Sequence, residues 1–203
     1  MSGRSSATAF APASIGNLGV GFDMLGLAIT GAGDRVSARR VDGDGITIAE
    51  VRGLDGQLHP FLSTASLENT ASIAAEALWR EHGEDGGVEL TVLKGVPLQS
   101  GMGSSAASAV AAVVAVNALL ASPLPRPALL PFALQGEQFA SKGLHADNVA
   151  PSLLGGLVFC PPELLPGTVS INPPAGISSV LLHPELQINT AQARGGLARG
   201  YSM

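Results

Sequence analysis

The order of elements along the 203-residue chain predicts an α+β fold: strands first, then helices, then strands again. Three observations carry this. Residues 35–40 and 46–51 alternate apolar and polar side chains, the period of a half-exposed strand. Residues 69–79 repeat their apolar side chains at helical spacing. Residues 105–120 are apolar all round, which suits a helix enclosed by the rest of a domain. No internal repeat occurs, and the order lacks regular βαβ alternation.

The elements follow in order. Residues 8–14 read as a short strand, and Pro12 inside it marks an edge or a bend. The Gly-rich stretch 17–26, N-L-G-V-G-F-D-M-L-G, is a loop where backbone can approach a ligand. The strands at 35–40 and 46–51 are expected to form an antiparallel pair joined by D-G-D-G at 42–45. The helix at 69–79 has Asn69 or Thr70 as N-cap. A strand at 88–93, a loop at 95–104 and the apolar helix come next. Pro123, Pro125 and Pro127 force a turn before a further helix at 128–141. A strand at 153–160, a Pro-rich connection at 161–174 and a strand at 178–183 complete the order.

Composition narrows the function classes. With 46% hydrophobic and 13% charged residues, the chain can build a sizeable core, and at 4% aromatics that core must be Ala, Val, Leu and Ile. The length suits one domain, or one domain with part of another. A net charge of −5 argues against nucleic acid; the Arg39-Arg40 pair reads as a solvated strand end. Cys160, the single cysteine, lies in an apolar run and reads as a buried structural thiol in a reducing compartment. The N-terminus has no apolar stretch suited to a signal peptide. Residues 106–121 are too short and too Ala-rich for a membrane span despite a mean hydropathy of +0.33. A soluble cytoplasmic protein is expected, without a membrane or nucleic-acid partner.

The chemistry concentrates at 97–107, P-L-Q-S-G-M-G-S-S-A-A. A triphosphate tail needs several converging backbone N–H donors with no side chain in the way. Gly101 and Gly103 allow close approach, and Ser104 and Ser105 add hydroxyls. The helix that follows points its positive end at the loop, which favours a bound anion. This is neither a Walker loop nor a dinucleotide fingerprint, and no G-x-S-x-G elbow occurs. The plainer reading is a Gly-Ser turn that caps a buried helix. Lys94, just ahead, is either a cation reaching phosphate or a solvated strand end.

With its proline and its Ser-Ser-Ala ending, this loop resembles the central motif of the GHMP kinases, P-x-x-x-G-L-G-S-S-A. Met102 stands at the Leu position, an apolar residue of similar size. The segments A-P-A-S-I-G-N-L-G-V-G-F-D-M-L-G at 11–26 and E-Q-F-A-S-K-G-L-H-A-D-N-V-A-P-S-L-L-G-G at 137–156 look like those of the members that act on homoserine. N-T-A-Q-A-R at 189–194 is similar to the family's S-T-x-x-A-R. The resemblance implies a domain like the second domain of ribosomal protein S5 at 1–165, then the beginning of a ferredoxin-like domain at 166–203. It implies transfer of the γ-phosphate of ATP, with Mg²⁺, to the side-chain hydroxyl of L-homoserine in threonine biosynthesis, by a homodimer. The alternatives are another GHMP kinase acting on a sugar or mevalonate-type alcohol, and a binding module without turnover.

Residue roles follow from the same resemblance. Nucleotide contacts fall on Asn69, Lys94, Pro97, Leu98, Gln99, Ser100, Gly101, Met102, Gly103, Ser104, Ser105, Ala106 and Ala107. Asn17, Asp23, His145, Asp147 and Arg194 line the amino-acid pocket, with Asp23 for the ammonium and Arg194 for the carboxylate. Glu137 is the magnesium-associated carboxylate, with Ser104 beside it. Read without the family, Asp23 is a turn residue, Arg194 a surface cation, His145 a loop histidine, Glu137 a polar helix position and Asn69 a plain cap. Asn148 stands where several family members carry an Asp base, and an amide cannot take a proton usefully. Asn148 and Glu137 are therefore the catalytic candidates, with Asn148 orienting a hydroxyl that attacks directly. The family's third, Gly-rich motif is absent, so much of the C-terminal domain is expected to be lacking.

Overall fold

The computed structural model describes residues 4–172 except Glu84 and Lys142, together with Gly176 and Val180. Among these, six strands form one mixed sheet: β1 (Ser6–Ile15), β2 (Leu25–Val41), β3 (Gly45–Arg52), β4 (Gly87–Leu93), β5 (Leu157–Phe159) and β6 (Val169–Ile171). Four α-helices accompany them: α1 (Thr70–His82), α2 (Ser104–Asn117), α3 (Leu130–Ser141) and α4 (Val149–Leu154). The architecture is α+β.

β2 is the spine. One edge carries β1, with a register shift between Pro12 and Ser14. The other edge carries β4 against residues 35–41 and β5 against residues 25–27. On β2, Asp34, Val36 and Ala38 are buried while Arg35, Ser37 and Arg39 are exposed. Helices therefore cover one face only, as period-two patterning requires. In β3 the buried positions step from Ile48 to Val51, and a bulge between Ile48 and Glu50 absorbs the broken alternation.

α2 lies in the middle of the domain, against β1, β2, α1 and α3, and eleven of its fourteen residues are buried. Its alanines let the neighbours come close. At the junction of α1, α2 and α3 sits Gly136, where a Cβ would lie 3.0 Å from both Ala74 and Ala109. Close packing of this kind leaves no room for larger residues without strain.

Several expectations are corrected. The D-G-D-G turn does not close a hairpin: β4 lies between β2 and β3, antiparallel to the first and parallel to the second. β3, α1 and β4 form a crossover, and β4 completes two ladders where a hairpin would complete one. Residues 153–154 belong to α4, and only Leu157–Phe159 is strand. Pro151 is compatible with α4 because a first-turn N–H has no helical partner. Gly155 and Gly156, at φ 83° and 66°, then turn the chain into β5. The Pro-rich connection contains β6, paired antiparallel with β5. α3 begins at Leu130, after a 3₁₀ turn at Arg126–Leu129. Apart from Val180, the strand expected at 178–183 lies outside the described residues.

Arg40 is no solvated strand end. Its Nη2 donates to the Leu119 carbonyl at 2.9 Å and its guanidinium stacks 5.1 Å from the Trp79 ring, fastening the sheet to the far end of α2. Arg39 remains outside and pairs with Glu89 at 2.7 Å. Cys160 is fully buried, and desolvation pushes its thiol up to about 12. Among the described residues, no helix is long and apolar enough to cross a membrane.

Candidate active site

Between β4 and α2 the chain runs through the loop at 94–103 and enters the helix at Gly103, the N-cap. Gln99, Gly101 and Gly103 have φ of 54°, 72° and 66°, alternating with residues of ordinary φ. Alternation of this kind turns successive backbone N–H groups into an anion-binding concavity. Ser100 stabilises the turn, its Oγ donating to the Pro97 carbonyl at 2.8 Å and accepting from the Met102 N–H at 3.3 Å. Met102 anchors the loop by packing with Ala13, Val96 and Ala107. Its substitution for Leu keeps the shape of that anchor.

A cavity of about 640 Å³ opens above this loop. Leu98, Gln99, Ser100, Gly101, Gly103, Ser104 and Ser105 form one wall. Asn69 from the start of α1, Glu137 from α3, and His145, Asp147, Asn148 and Asn17 line it too, as do Lys94 and Ser108. Pro97, Met102, Ala106 and Ala107 are not part of the lining. The side chains of Met102, Ala106 and Ala107 are in the core, and the Ala107 N–H is already bonded to the Gly103 carbonyl at 2.9 Å. Direct nucleotide contact by Ala107 is thereby corrected: the open N–H groups belong to the residues before it.

Lys94 lines the cavity, but its ammonium turns into the protein. Its ammonium pairs with Asp34, donates to the Ser104 carbonyl at 2.8 Å and to Ser108 Oγ at 2.8 Å. All three N–H donors are engaged inside the protein, so none is left for a phosphate. Burial lowers the Lys94 pKa, and the Asp34 carboxylate opposes that. Sequence reasoning missed Asp34, although alternation places it in phase with Val36 and Ala38. An acid on the inward face of a strand was the available signal.

Asn69 acts as the N-cap of α1, its Oδ1 accepting from the Ala71 N–H at 3.0 Å while its Nδ2 donates to the Ser63 carbonyl at 2.9 Å. Ser104 Oγ donates to the Val96 carbonyl at 2.9 Å, whereas Ser105 Oγ donates to Glu137 Oε2 at 2.7 Å. The hydroxyl beside the candidate metal carboxylate is therefore that of Ser105, not Ser104. The reason is helical phase: consecutive residues of a first turn point about 100° apart.

Two loops build the opposite wall. The Asn17 N–H donates to Asp147 Oδ2 at 3.1 Å, and Asn17 Oδ1 accepts from the Asp23 N–H at 2.8 Å. His145 Nδ1 lies 3.6 Å from Asp23 Oδ1. Asn17 and Asp23 both take left-handed φ, 55° and 58°, conformations that Asn and Asp tolerate better than most residues. Burial raises the Asp147 pKa and the Asp23 charge adds to it, while the Asn17 N–H and His145 work against it. Asn148 Oδ1 accepts the hydroxyl of Ser14, a fully buried residue of β1 that sequence reasoning also missed. Asp23, His145, Asp147 and Asn148 thus converge from segments more than a hundred residues apart, while Arg194 lies outside the described residues.

Residues 69–156 match the family model of the GHMP kinases N terminal domain. A homoserine kinase of Xylella fastidiosa (strain 9a5c) is 46% identical over 195 residues, covering 96% of this chain and 58% of that protein. The chain carries a GHMP kinase N-terminal domain. A homoserine kinase of Xanthomonas campestris pv. campestris (strain B100) is 44% identical over 201 residues, 99% of this chain and 60% of that one. The crystal structure of homoserine kinase from Cytophaga hutchinsonii ATCC 33406 has a similar fold, with a TM-score of 0.84 at 37% identity. That match covers 98% of this chain and 62% of the other. The chain spans about three fifths of the length of the curated relatives it matches.

For a GHMP kinase, the carboxylate nearest the phosphate loop decides whether Mg²⁺ fits. Glu137 is buried, lines the cavity and is bonded to Ser105, so an oxygen donor pair faces the phosphate side. No group of three or more His, Cys, Asp or Glu suited to a metal occurs among the described residues. Mg²⁺ fits that arrangement, because it commonly takes one or two protein carboxylates and completes its shell with phosphate oxygens and water.

Burial also pushes the Glu137 pKa from 4.5 up to about 7, with the Ser105 hydroxyl opposing and Asp147 adding to the rise. Between those two values the folded carboxyl holds a proton that the unfolded one has lost. Stability without metal therefore falls as pH rises through that window and levels off above it. The contribution is on the order of 3 kcal/mol across the window. Melting curves from about pH 5 to about pH 8 should show a smaller fall for Glu137→Gln than for the unsubstituted chain. Parallel curves would show that Glu137 does not titrate in this range.

Proposed function

We propose that this chain binds Mg-ATP on the 97–105 loop and transfers its γ-phosphate to the side-chain hydroxyl of L-homoserine, giving O-phospho-L-homoserine for threonine biosynthesis. One observation carries the reading: a single cavity has the phosphate-type loop on one wall and Asn17, His145 and Asp147 on the other, with the Asp23 carboxylate 3.6 Å from the His145 ring. The first wall suits an anion. The second offers carboxylates and an imidazole suited to the ammonium of a small amino acid, and the Xylella and Xanthomonas relatives are named homoserine kinases.

Phosphoryl transfer needs mainly alignment and neutralisation of charge. The backbone N–H groups of the loop and the first turn of α2 would hold the β- and γ-phosphates. Glu137 and Ser105 would hold Mg²⁺, which supplies charge neutralisation on the phosphate oxygens. Asn148 has no basic group, so the acceptor hydroxyl attacks the γ-phosphorus directly as the bond to ADP breaks. The hydroxyl proton passes to an oxygen of the transferred phosphoryl group. Asp23 would hold the ammonium, and Arg194 the carboxylate.

The reading includes a cytoplasmic homodimer working on small molecules, with no nucleic-acid or membrane partner. It places residues up to Ile171 in the ATP-binding domain, since β6 belongs to its sheet, and the second domain after that. The test is ADP release from ATP and Mg²⁺ with L-homoserine, beside mevalonate and galactose as acceptors. Release only with L-homoserine, matched by phosphohomoserine, is the expected result. Binding of both ligands without ADP would instead mark a binding module.

A further inference from the structure

We infer that Asp34, Lys94 and Ser108 form a buried clamp that sets the spacing between the two ends of the ATP loop, acting as positioning residues: Lys94 and Ser108 border the cavity, yet their polar groups are spent on one another, on Asp34 and on the Ser104 carbonyl. The inference rests on the ATP reading of that loop.

The geometry is specific. Asp34, on β2, is fully buried, and its Oδ1 accepts the N–H of Gly95 at 2.8 Å and of Val96 at 3.0 Å. Those two residues begin the loop. Its Oδ2 accepts the Lys94 ammonium and the Ser108 hydroxyl, the latter at 2.6 Å. Lys94 in turn donates to the Ser104 carbonyl and to Ser108, which begin and continue α2 at the loop's other end. One carboxylate is thus tied to both ends of the loop through four donors, close to its full acceptor capacity. A Cβ on Gly95 would run into the Gly33 carbonyl, so the backbone approach that brings Asp34 to these amides requires glycine there.

A buried ion pair is weak evidence for stability, because desolvation offsets its attraction and apolar residues of similar size often serve as well. What a fully satisfied polar network supplies is a single geometry. Here that geometry is the separation of residue 95 from residue 104. The N–H groups between those points must converge on phosphate, and small displacements of aligned groups carry large penalties. The charges therefore sit where register matters most.

The test compares ATP with adenosine, which lacks phosphates, in equilibrium titrations on the folded chain. Three variants are used: Asp34→Asn, the double variant Asp34→Asn/Lys94→Met, which leaves no unpaired buried charge, and Ser108→Ala, which keeps the ion pair. ATP affinity should fall about tenfold or more in the first two and about threefold in Ser108→Ala, with adenosine affinity within about twofold throughout. Equal losses for ATP and adenosine would mean a general structural role and overturn the clamp. Loss of ATP affinity in the double variant with none in Asp34→Asn or Ser108→Ala would make Lys94 a direct phosphate ligand, and overturn it too. Should either Asp34 variant fail to fold, Ser108→Ala decides: unchanged ATP affinity there refutes the clamp. An unsubstituted chain that binds no ATP removes the ATP reading itself, whereas one that binds it beside unaffected variants removes the clamp alone.

Discussion

Gly103→Ala should lower ATP affinity by at least about 100-fold. Two penalties coincide. At φ 66° and ψ 40° an alanine pays about 1–2 kcal/mol for the left-handed conformation. Its Cβ would also collide with the Ser14 hydroxyl and stand 2.9 Å from Asn148 Oδ1. Ser14 has no freedom to retreat, because it is fully buried in β1 and its N–H is bonded to the Met102 carbonyl at 3.1 Å. Overpacking of that kind adds about 1–3 kcal/mol. The loop would have to swing away, taking with it the N–H groups of Ser104 and Ser105. Gly101→Ala provides the control: nothing lies within 4 Å of its Cβ, so only the φ penalty applies. Calorimetric titration with ATP and thermal melts of both variants make the comparison. Wild-type affinity in Gly103→Ala would show that ATP does not use this loop.

Asn148→Ala should lower turnover on L-homoserine about 100-fold while ATP affinity stays within about twofold. Asn148 stands at the entry to α4, and its carbonyl oxygen is held by Ser14. Its orientation is therefore set from β1, behind the cavity, which leaves the amide N–H₂ as the group available to a substrate. Such a group can align a hydroxyl but cannot take its proton, so the effect belongs to kcat rather than to ATP binding. The truncation also leaves the Ser14 hydroxyl buried without its acceptor, at about 1–3 kcal/mol. Kinetics should therefore be compared well below the melting temperature of the variant. Unchanged turnover would remove Asn148 from the mechanism.

The features that local chemistry governs are legible in the sequence. Asn69 as a cap, a phosphate-type turn at 97–103 and a buried Ala-Val helix after it all depend on side chains within a few positions of one another. Pairing order is not legible, because D-G-D-G reverses the chain equally well whether the next strand is adjacent or one place further out. α4 is obscured by Pro151 and by the glycines that follow it. Ser14, Asp34 and Ser108 each look like ordinary polar residues in apolar surroundings, since their partners lie 134, 60 and 74 positions away. By itself, the sequence determined the family resemblance and the turn at 97–103 with the helix that follows it. Only the tertiary structure decided that Lys94 turns inward to Asp34 and that Ser105 rather than Ser104 faces Glu137. The physical reason is that a side chain's partner is set by burial and helical phase across the whole fold, which no local pattern encodes.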